Sequence, residues 1–342
     1  MEQHKKFDLI TFGETMLRLS PPQNGRIFRS EIFEKHAGGA ELNVASGVSL
    51  LGMRSGIITR LPRNELGTFV KNRIRFSSVS DDFIIYDDSS DARLGIYYYE
   101  NGAYPRKPTV VYDRKHSSIT NIRPEEIPDD IYGKTRMFYT SGITLALCEN
   151  TRTLAIQLIK KFKEAGAKIA FDVNYRANLW DEETARTTIK KILPYIDVLF
   201  VSEESCRRMF QMTGTLEDMH RQFCKEYPNI DIIASSMREV ISPKVHSFTS
   251  LVYSKKEDKF YTEDQYKDID VVDRIGSGDA YCAGVLFGML KYNDPKKAME
   301  FGNATCATKN TIYGDLPLSD FNEISSVIKS HQTKGKQSEM NR

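Results

Sequence analysis

A glycine turn with an aspartate at its edge is the clearest chemical feature of this chain. Gly276-Ser277-Gly278-Asp279 follows Asp273 and precedes an apolar run to Leu290 that is typical of a helix. The bare backbone N–H groups and the positive end of the helix dipole at such a turn stabilise negative charge. We therefore predict an anion hole at 276–278 beside a general base, Asp279, a pairing suited to phosphoryl transfer to a hydroxyl. Because glycine turns before helices are common, a purely structural turn is the alternative.

Two familiar nucleotide-binding loops do not fit the sequence. The third glycine of a G-x-G-x-x-G loop would fall on Tyr281. Gly133-Lys134-Thr135 ends like a Walker A loop, but Pro128 replaces the earlier glycine and the residues that follow predict a strand. Neither segment therefore explains how a nucleotide would bind.

A second glycine pair, Gly38-Gly39, is followed by Ala40-Glu41-Leu42-Asn43 at a predicted helix entry. Paired glycines let a ligand approach the backbone closely. Asn43 should project from the first helical turn, where its amide could bond a sugar hydroxyl. Capping of the helix by Asn43 is the alternative.

Arginines and tyrosines supply further candidate contacts. Asn174 and Arg176 follow an apolar strand, at the end where ligands bind in parallel sheets. Tyr112 and Arg114 are two residues apart and so share a strand face, and Tyr97 lies in a similar aromatic run. A guanidinium fork suits a carboxylate or a phosphate. For each arginine alone, a solvated surface charge is the alternative.

A polar segment after a predicted strand could contact a nucleotide. Ser236 and Arg238 lie in this segment, which we predict to be a turn over 236–241. Asn303 lies on a predicted helix and could line a base pocket. It also begins an Asn-Ala-Thr glycosylation sequon, which a cytosolic chain would not use.

Strands and helices alternate along most of the chain. Predicted strands cover residues 7–12, 54–59, 137–139, 168–172, 198–201 and 230–235. Predicted helices cover residues 42–51, 153–165, 184–193 and 280–290. This order predicts an α/β fold with a mostly parallel sheet that is covered by helices on both faces.

Two segments interrupt this order. Residues 16–36 and 93–114 contain alternating, aromatic-rich runs that read as antiparallel strands outside the core. A small sheet inserted at about 14–37 and 93–115 could serve as a lid, and an extra edge hairpin is the alternative. The whole pattern predicts one domain over residues 1–330, followed by a polar, disordered tail over residues 331–342.

Composition narrows the choice of partners and compartment. The 48 basic and 46 acidic residues nearly cancel, so nothing favours nucleic acid or a membrane surface as a partner. The five cysteines have no paired spacing, which is typical of reduced thiols in the cytosol. The N-terminal residues lack the apolar core of a signal peptide, and no apolar run reaches membrane-spanning length. We therefore expect a cytoplasmic protein.

These motifs, in this order, resemble the ribokinase-like, or PfkB, family of carbohydrate kinases. Its first signature is similar to GGAELNVASGVSLLG, which begins at Gly38, and its second to DRIGSGDAYCAGVLFGML, which begins at Asp273. Within the family the chain is most similar to 2-keto-3-deoxygluconate kinases, through RLGIYYYENG, VVYDRKHSS, FDVNYRANLW and TIYGDLP. The resemblance extends from about Phe7 to Lys329.

The resemblance implies ATP-dependent phosphorylation of 2-keto-3-deoxygluconate to its 6-phosphate, on a three-layer α/β/α core with a β-sheet lid. Asp279 would be the base, and the backbone of Gly276, Ser277 and Gly278 would form the anion hole. The resemblance assigns the substrate to Gly38, Gly39, Ala40, Glu41, Asn43, Tyr97, Tyr112, Arg114 and Arg176. It assigns the nucleotide to Asn174, Ser202, Ser236, Arg238, Gly276, Gly278 and Asn303. Mg²⁺ would bridge the phosphates of ATP, and lids would pair between subunits in a homo-oligomer.

Two departures from the family pattern bear on the site. Arg274 replaces the usual threonine, as it does in some relatives that act on acid sugars. The family's N-x-x-E motif, which supports magnesium, falls on Ser202-Glu203-Glu204-Ser205, so no metal ligand is assigned. The alternatives are another kinase of the family, acting on fructose, ribose or a different keto-sugar acid, and a non-catalytic sugar-binding regulator. The intact Asp279 disfavours the regulator.

Overall fold

A computed structural model describes residues 5–333 of the chain. Its strands are β1 Phe7–Phe12, β2 Met16–Ser20, β3 Glu34–Gly38, β4 Ser55–Pro62, β5 Ile84–Asp87, β6 Gly95–Glu100, β7 Thr109–Asp113, β8 Thr135–Ser141, β9 Lys168–Asp172, β10 Val198–Phe200, β11 Ile232–Ser242, β12 Val245–Ser254, β13 Lys259–Tyr261 and β14 Tyr266–Asp270. Its helices are α1 Ala40–Leu50, α2 Glu65–Phe76, α3 Gly142–Ala146, α4 Glu149–Glu164, α5 Glu182–Ile192, α6 Glu203–Arg208, α7 Leu216–Glu226, α8 Ser277–Tyr292, α9 Pro295–Asn310 and α10 Phe321–Thr333.

The largest element is a mostly parallel sheet. Its strands follow the order β13-β12-β11-β10-β9-β8-β1-β4-β5, and β14 pairs with β12 beside that path. All neighbours from β11 to β5 are parallel, whereas β12 pairs antiparallel with β11, β13 and β14 at one edge. The predicted α/β class and the mostly parallel sheet are confirmed.

Helices cover both faces of this sheet because buried side chains alternate along the central strands. On β1, Leu9 belongs to an apolar cluster with residues of α1, α8 and α9. Its neighbour Ile10 belongs to a cluster on the opposite face with residues of α4, α5 and α7. Both side chains are fully buried. Because successive side chains point to opposite faces of the sheet, helices pack on both faces and the protein has three layers.

A second, smaller sheet has four strands in the order β3-β2-β6-β7. The pairs β2–β3 and β6–β7 are antiparallel, and the two pairs meet through parallel β2 and β6. The segments predicted to leave the core therefore form a separate sheet, and the edge-hairpin alternative is wrong.

Two predicted boundaries were wrong for identifiable reasons. The turn predicted over 236–241 is absent, because β11 continues to Ser242 and pairs with β12 along its length, with a bulge near Val240. The tail predicted from residue 331 is helical as far as Thr333, because Ile324 and Ile328 anchor α10 in a buried cluster with residues of α8 and α9. The rest of that tail, 334–342, lies outside the described residues.

Three further observations bear on the sequence predictions. Gly133-Lys134-Thr135 ends a 3-10 helix and enters β8, so the predicted strand after it is confirmed. All five cysteines are unpaired. Within residues 5–333, no helix has the length and apolar character needed to cross a membrane.

Candidate active site

A cavity of about 770 Å³ lies at the carboxyl ends of the central strands, between the core and the small sheet. Parallel sheets place their ligand sites at this edge, and the volume suits a small molecule. The predicted site residues that line it are Gly39, Ala40, Glu41, Asn43, Tyr97, Tyr112, Arg114, Asn174, Arg176, Ser202, Ser236, Arg238, Gly276, Ser277, Gly278 and Asp279. Segments far apart in the chain thus meet in one place.

The glycine turn opens α8 as predicted. Gly276 caps the helix in the left-handed conformation, with φ of 80°. A Cβ on Gly276 would lie 2.0 Å from the carbonyl oxygen of Asp315, so only glycine fits there. The N–H of Ser277 already donates to the carbonyl of Arg274 at 3.3 Å. This bond leaves the N–H groups of Gly276 and Gly278 as the better candidates for holding an anion.

Asp279 lies in the first turn of α8 and lines the cavity. Its Oδ2 accepts a hydrogen bond of 2.7 Å from Nδ2 of Asn43. Burial raises the pKa of Asp279 to about 6, although the Asn43 bond and the charge of Arg176 oppose that rise. Such a group is largely ionised at neutral pH and is basic enough to accept a proton from a substrate hydroxyl.

Two of the other carboxyl groups that line the same cavity have raised pKa values. Asp172 ends β9, and Glu41 lies in the first turn of α1. Burial raises the pKa of each to about 7, and the charge of Asp279 adds to both shifts. Oε1 of Glu41 accepts hydrogen bonds from Ser141 and Thr144, so this side chain is held by the protein and is not free for a ligand.

The entry of α1 explains the position of Asn43. Gly39 caps α1 with φ of 137°, and a Cβ there would lie 2.2 Å from the carbonyl oxygen of Glu14. Since the helix begins at Ala40, Asn43 lies within its first turn and directs its amide to Asp279. The capping alternative for Asn43 is therefore wrong. Gly38 does not line the cavity and packs against the side chain of Asp315.

The small sheet contributes an aromatic wall. Tyr97 and Tyr112 are directly opposite each other on β6 and β7, with ring centroids 5.8 Å apart. Tyr97 is buried and its hydroxyl donates to Asp315, whereas Tyr112 is 43% exposed. Tyr112 is thus the aromatic side chain with more surface available for a ligand.

The two predicted arginines differ in their partners. Both Nε and Nη2 of Arg114 donate to Oε2 of Glu14, with the Nε contact at 2.8 Å. Its fork, which we predicted to meet a substrate carboxylate, is therefore already paired within the protein. Arg176 is exposed, donates to the carbonyl of Tyr175 at 3.1 Å, and has no carboxylate within 4.0 Å among residues 5–333. Its charge is therefore available for an anionic ligand, as are those of Arg238 and Arg274, which also line the cavity and form no ion pair among the described residues.

Six of the seven residues predicted to contact a nucleotide line the cavity, two of them the glycines of the 276–279 turn, and one does not. Asn174 and Ser202 follow β9 and β10, and Ser236 and Arg238 lie on β11. Asn303 is fully buried in α9, where Nδ2 donates to Glu263 at 2.8 Å. Asn303 does not line this cavity, because its side chain lies against the segment that precedes β14.

Sequence reasoning missed the ion pairs that join the small sheet to the core. Arg18 on β2 is 1% exposed and contacts Oδ2 of Asp273 at 2.6 Å and Oδ1 of Asp315 at 3.0 Å. Glu14, which holds Arg114, was also missed. The motif TIYGDLP contains Asp315, but nothing in its pattern predicts a partner 297 residues away.

The acidic side chains near the cavity are the candidate magnesium ligands. No cluster of three or more His, Cys, Asp or Glu side chains among residues 5–333 could hold a metal ion. Glu203 and Glu204 are each paired with an arginine, Arg207 and Arg208 respectively. Both carboxylates of this segment are therefore already paired within the protein.

Comparison with known proteins agrees with this fold. Residues 6–315 match the pfkB family carbohydrate kinases. The chain belongs to this family, and the glycine turn with Asp279 lies within the matched region.

The most informative relatives are named for keto-sugar acids. The 2-dehydro-3-deoxygalactonokinase of Haloferax volcanii is 35% identical, over 94% of this chain and 96% of that protein. The 2-dehydro-3-deoxygluconokinase of Bacillus subtilis is 27% identical, over 96% and 99%. The crystal structure of the 2-dehydro-3-deoxygluconokinase of Thermotoga maritima has a TM-score of 0.90 and 32% identity, over 96% of this chain and all of that one.

Proposed function

We propose that the protein transfers the γ-phosphoryl group of ATP to the 6-hydroxyl of 2-keto-3-deoxygluconate. The observation that carries this proposal is the position of Asp279, in the first turn of α8 and in one cavity with Arg176. A base beside an anion hole serves phosphoryl transfer, and an unpaired arginine favours an acid over a neutral sugar. The names of the relatives agree with this choice.

In the proposed reaction, Asp279 removes the proton of the 6-hydroxyl as its oxygen attacks the γ-phosphorus. The bond between the γ-phosphorus and the β,γ-bridging oxygen breaks, and ADP leaves. The N–H groups of Gly276 and Gly278 stabilise the charge on the phosphoryl oxygens. Catalysis thus rests on positioning and electrostatic stabilisation, and no covalent enzyme intermediate is needed.

The substrate carboxylate is assigned to Arg176, an exposed cavity arginine that has no carboxylate partner among residues 5–333. Arg114 would keep its pairing with Glu14 and support Tyr112, whose ring lies 5.5 Å from its guanidinium carbon. Tyr112 would pack on the carbon chain of the sugar acid. Gly39 and Ala40 would allow that chain to approach the backbone closely.

The nucleotide is assigned to the other side of the cavity, beside Asn174, Ser202, Ser236 and Arg238. Arg238 is suited to phosphate or base contacts, because it lines the cavity and forms no ion pair among the described residues. Mg²⁺ would enter with the phosphates of ATP, since the protein offers no ligand cluster for it among the described residues.

A substrate panel tests this function. ADP release is measured with 2-keto-3-deoxygluconate, its galactonate epimer, fructose and ribose, each at several concentrations. We expect the highest kcat/KM with a keto-sugar acid, and the ratio of the two epimers identifies the preferred one. Faster turnover of fructose or ribose would reject the acid-sugar assignment, and no turnover of any sugar would favour a regulator.

We also propose a cytoplasmic homo-oligomer that pairs through the small sheet. Val111 on the edge strand β7 is 48% exposed and faces away from its cavity-lining neighbours Val110 and Tyr112, so it offers apolar surface that a second copy could cover. The unpaired cysteines agree with a reducing compartment. Light scattering tests this proposal: Val111→Lys should reduce the measured mass, and a monomeric wild-type protein would contradict it.

A further inference from the structure

Lys309, near the end of α9, places a buried cation close to the glycine turn. Its side chain is almost fully buried, and its ammonium donates to the carbonyl oxygens of Asp273 and Ile312, both at 3.1 Å. Burial lowers the pKa of Lys309, whereas the carboxylates of Asp273 and Asp315 oppose that change. Such a charge is retained in a protein interior only where acceptors surround it.

The two carbonyls belong to separate segments that both contact the glycine turn. Asp273 begins the first segment, and its carboxylate accepts the N–H groups of Ile275 and Gly314. The N–H of Asp273 donates to the carbonyl of Asn310. Asp273 is thus fixed by several bonds just three residues before Gly276.

The second segment, 312–315, contacts the turn directly. The carbonyl oxygen of Asp315 packs so closely on Gly276 that a Cβ there would lie 2.0 Å away. A change in the spacing of the two segments would therefore move the N–H groups of Gly276 and Gly278. Donors in an anion hole act only when they are held at hydrogen-bonding distance from the developing charge.

We propose that Lys309 is a positioning residue for phosphoryl transfer, whose ammonium holds the two segments at the spacing that the glycine turn requires. The proposal rests on the function given above, in which Gly276 and Gly278 hold the transferred group. Lys309 does not line the cavity, so it acts through Asp273 and Ile312 and not by touching a substrate.

The test combines two substitutions with chemical rescue. Lys309→Met removes the charge and keeps an unbranched stem. Lys309→Ala removes Cγ, Cδ, Cε and Nζ, which together correspond to n-propylamine. We expect kcat for ADP release to fall by roughly 10-fold to 100-fold in both variants, with KM for the keto acid nearly unchanged. Adding n-propylammonium to Lys309→Ala should recover about tenfold in kcat, whereas neutral n-propanol should not.

Lys297→Met is the matched control, because Lys297 lies on the same helix and forms a partly exposed ion pair with Glu300. It should keep the wild-type kcat.

Two results with folded variants would overturn the proposal. One is a wild-type kcat per folded molecule in Lys309→Met, and the other is a folded Lys309→Ala that propylammonium does not reactivate. Loss of folded protein in both variants, measured by circular dichroism and not reversed by propylammonium, would also overturn it in favour of a purely structural role. A wild-type protein with no sugar kinase activity would instead reject the proposed function itself.

Discussion

Nδ2 of Asn43 donates a 2.7 Å hydrogen bond to Oδ2 of Asp279, and so joins the first turn of α1 to the first turn of α8. The two residues are 236 positions apart in the chain. Burial raises the pKa of Asp279 to about 6. The bond from Asn43 opposes this rise, because it stabilises the ionised form of the carboxyl group. Asn43 thus sets both the orientation and the proton affinity of the proposed base.

Replacing Asn43 should move the pH dependence of the reaction. Because the base must be deprotonated, kcat/KM of the wild type should fall as the pH drops through about 6, the pKa of Asp279. Asn43→Ala removes an interaction that lowers this pKa, so the acidic limb should move to higher pH. The measurement is kcat/KM for the keto acid between about pH 5 and pH 9.

Ser46→Ala provides the control for that shift. Ser46 is buried one turn further along α1, and its hydroxyl has no hydrogen-bond partner in the described part of the chain. Its removal should leave the acidic limb in place. An unshifted limb in Asn43→Ala would show that the bond does not govern the titration of the base.

Arg176→Ala should weaken binding of the acid substrate. A charge-assisted hydrogen bond to a carboxylate contributes about 1.5–3 kcal/mol, so KM for the keto acid should rise roughly 10-fold to 100-fold. KM for ATP should change little. Arg186→Ala is the control, because Arg186 pairs with Glu183 on α5 and does not line the cavity. Equal KM values for wild type and Arg176→Ala would mean that another group meets the carboxylate.

Arg18→Met should destabilise the fold. Arg18 is fully buried between Asp273 and Asp315, and its loss removes the ion-pair partner that these two buried carboxylates share. Breaking a buried ion pair in this way costs about 3–5 kcal/mol, which urea denaturation would measure. Arg75→Met removes the exposed pair with Asp81 and should change the stability little. Similar stabilities for both variants would contradict a structural role for Arg18.

The sequence was sufficient to predict the elements whose chemistry is local. The glycine turn, the helix after it and the alternation of strands with helices all depend on neighbouring residues, and the structure confirms them. The strand over 236–242 was missed because this outer half of β11 is largely exposed and is held by pairing with β12, which no local pattern predicts.

Pairings between distant segments could not be predicted. Sequence reasoning placed Asn43 as a helix cap or a sugar contact and Arg114 as a carboxylate clamp, but their partners are Asp279 and Glu14. These contacts depend on how the sheets pack, and only the fold brings them together. Asn303 lies on a helix as predicted, yet its side chain points away from the cavity because its partner is Glu263.

The most direct test of the account is the turnover of Asp279→Asn. Asparagine has the same shape as the wild-type side chain and removes a buried charge, so the variant should fold, which its melting temperature would verify. Loss of the general base should lower kcat for phosphorylation of the keto acid by about 10²–10⁴-fold. A folded Asp279→Asn enzyme with the wild-type kcat would contradict the assignment of Asp279 as the base, and with it the mechanism proposed for this site.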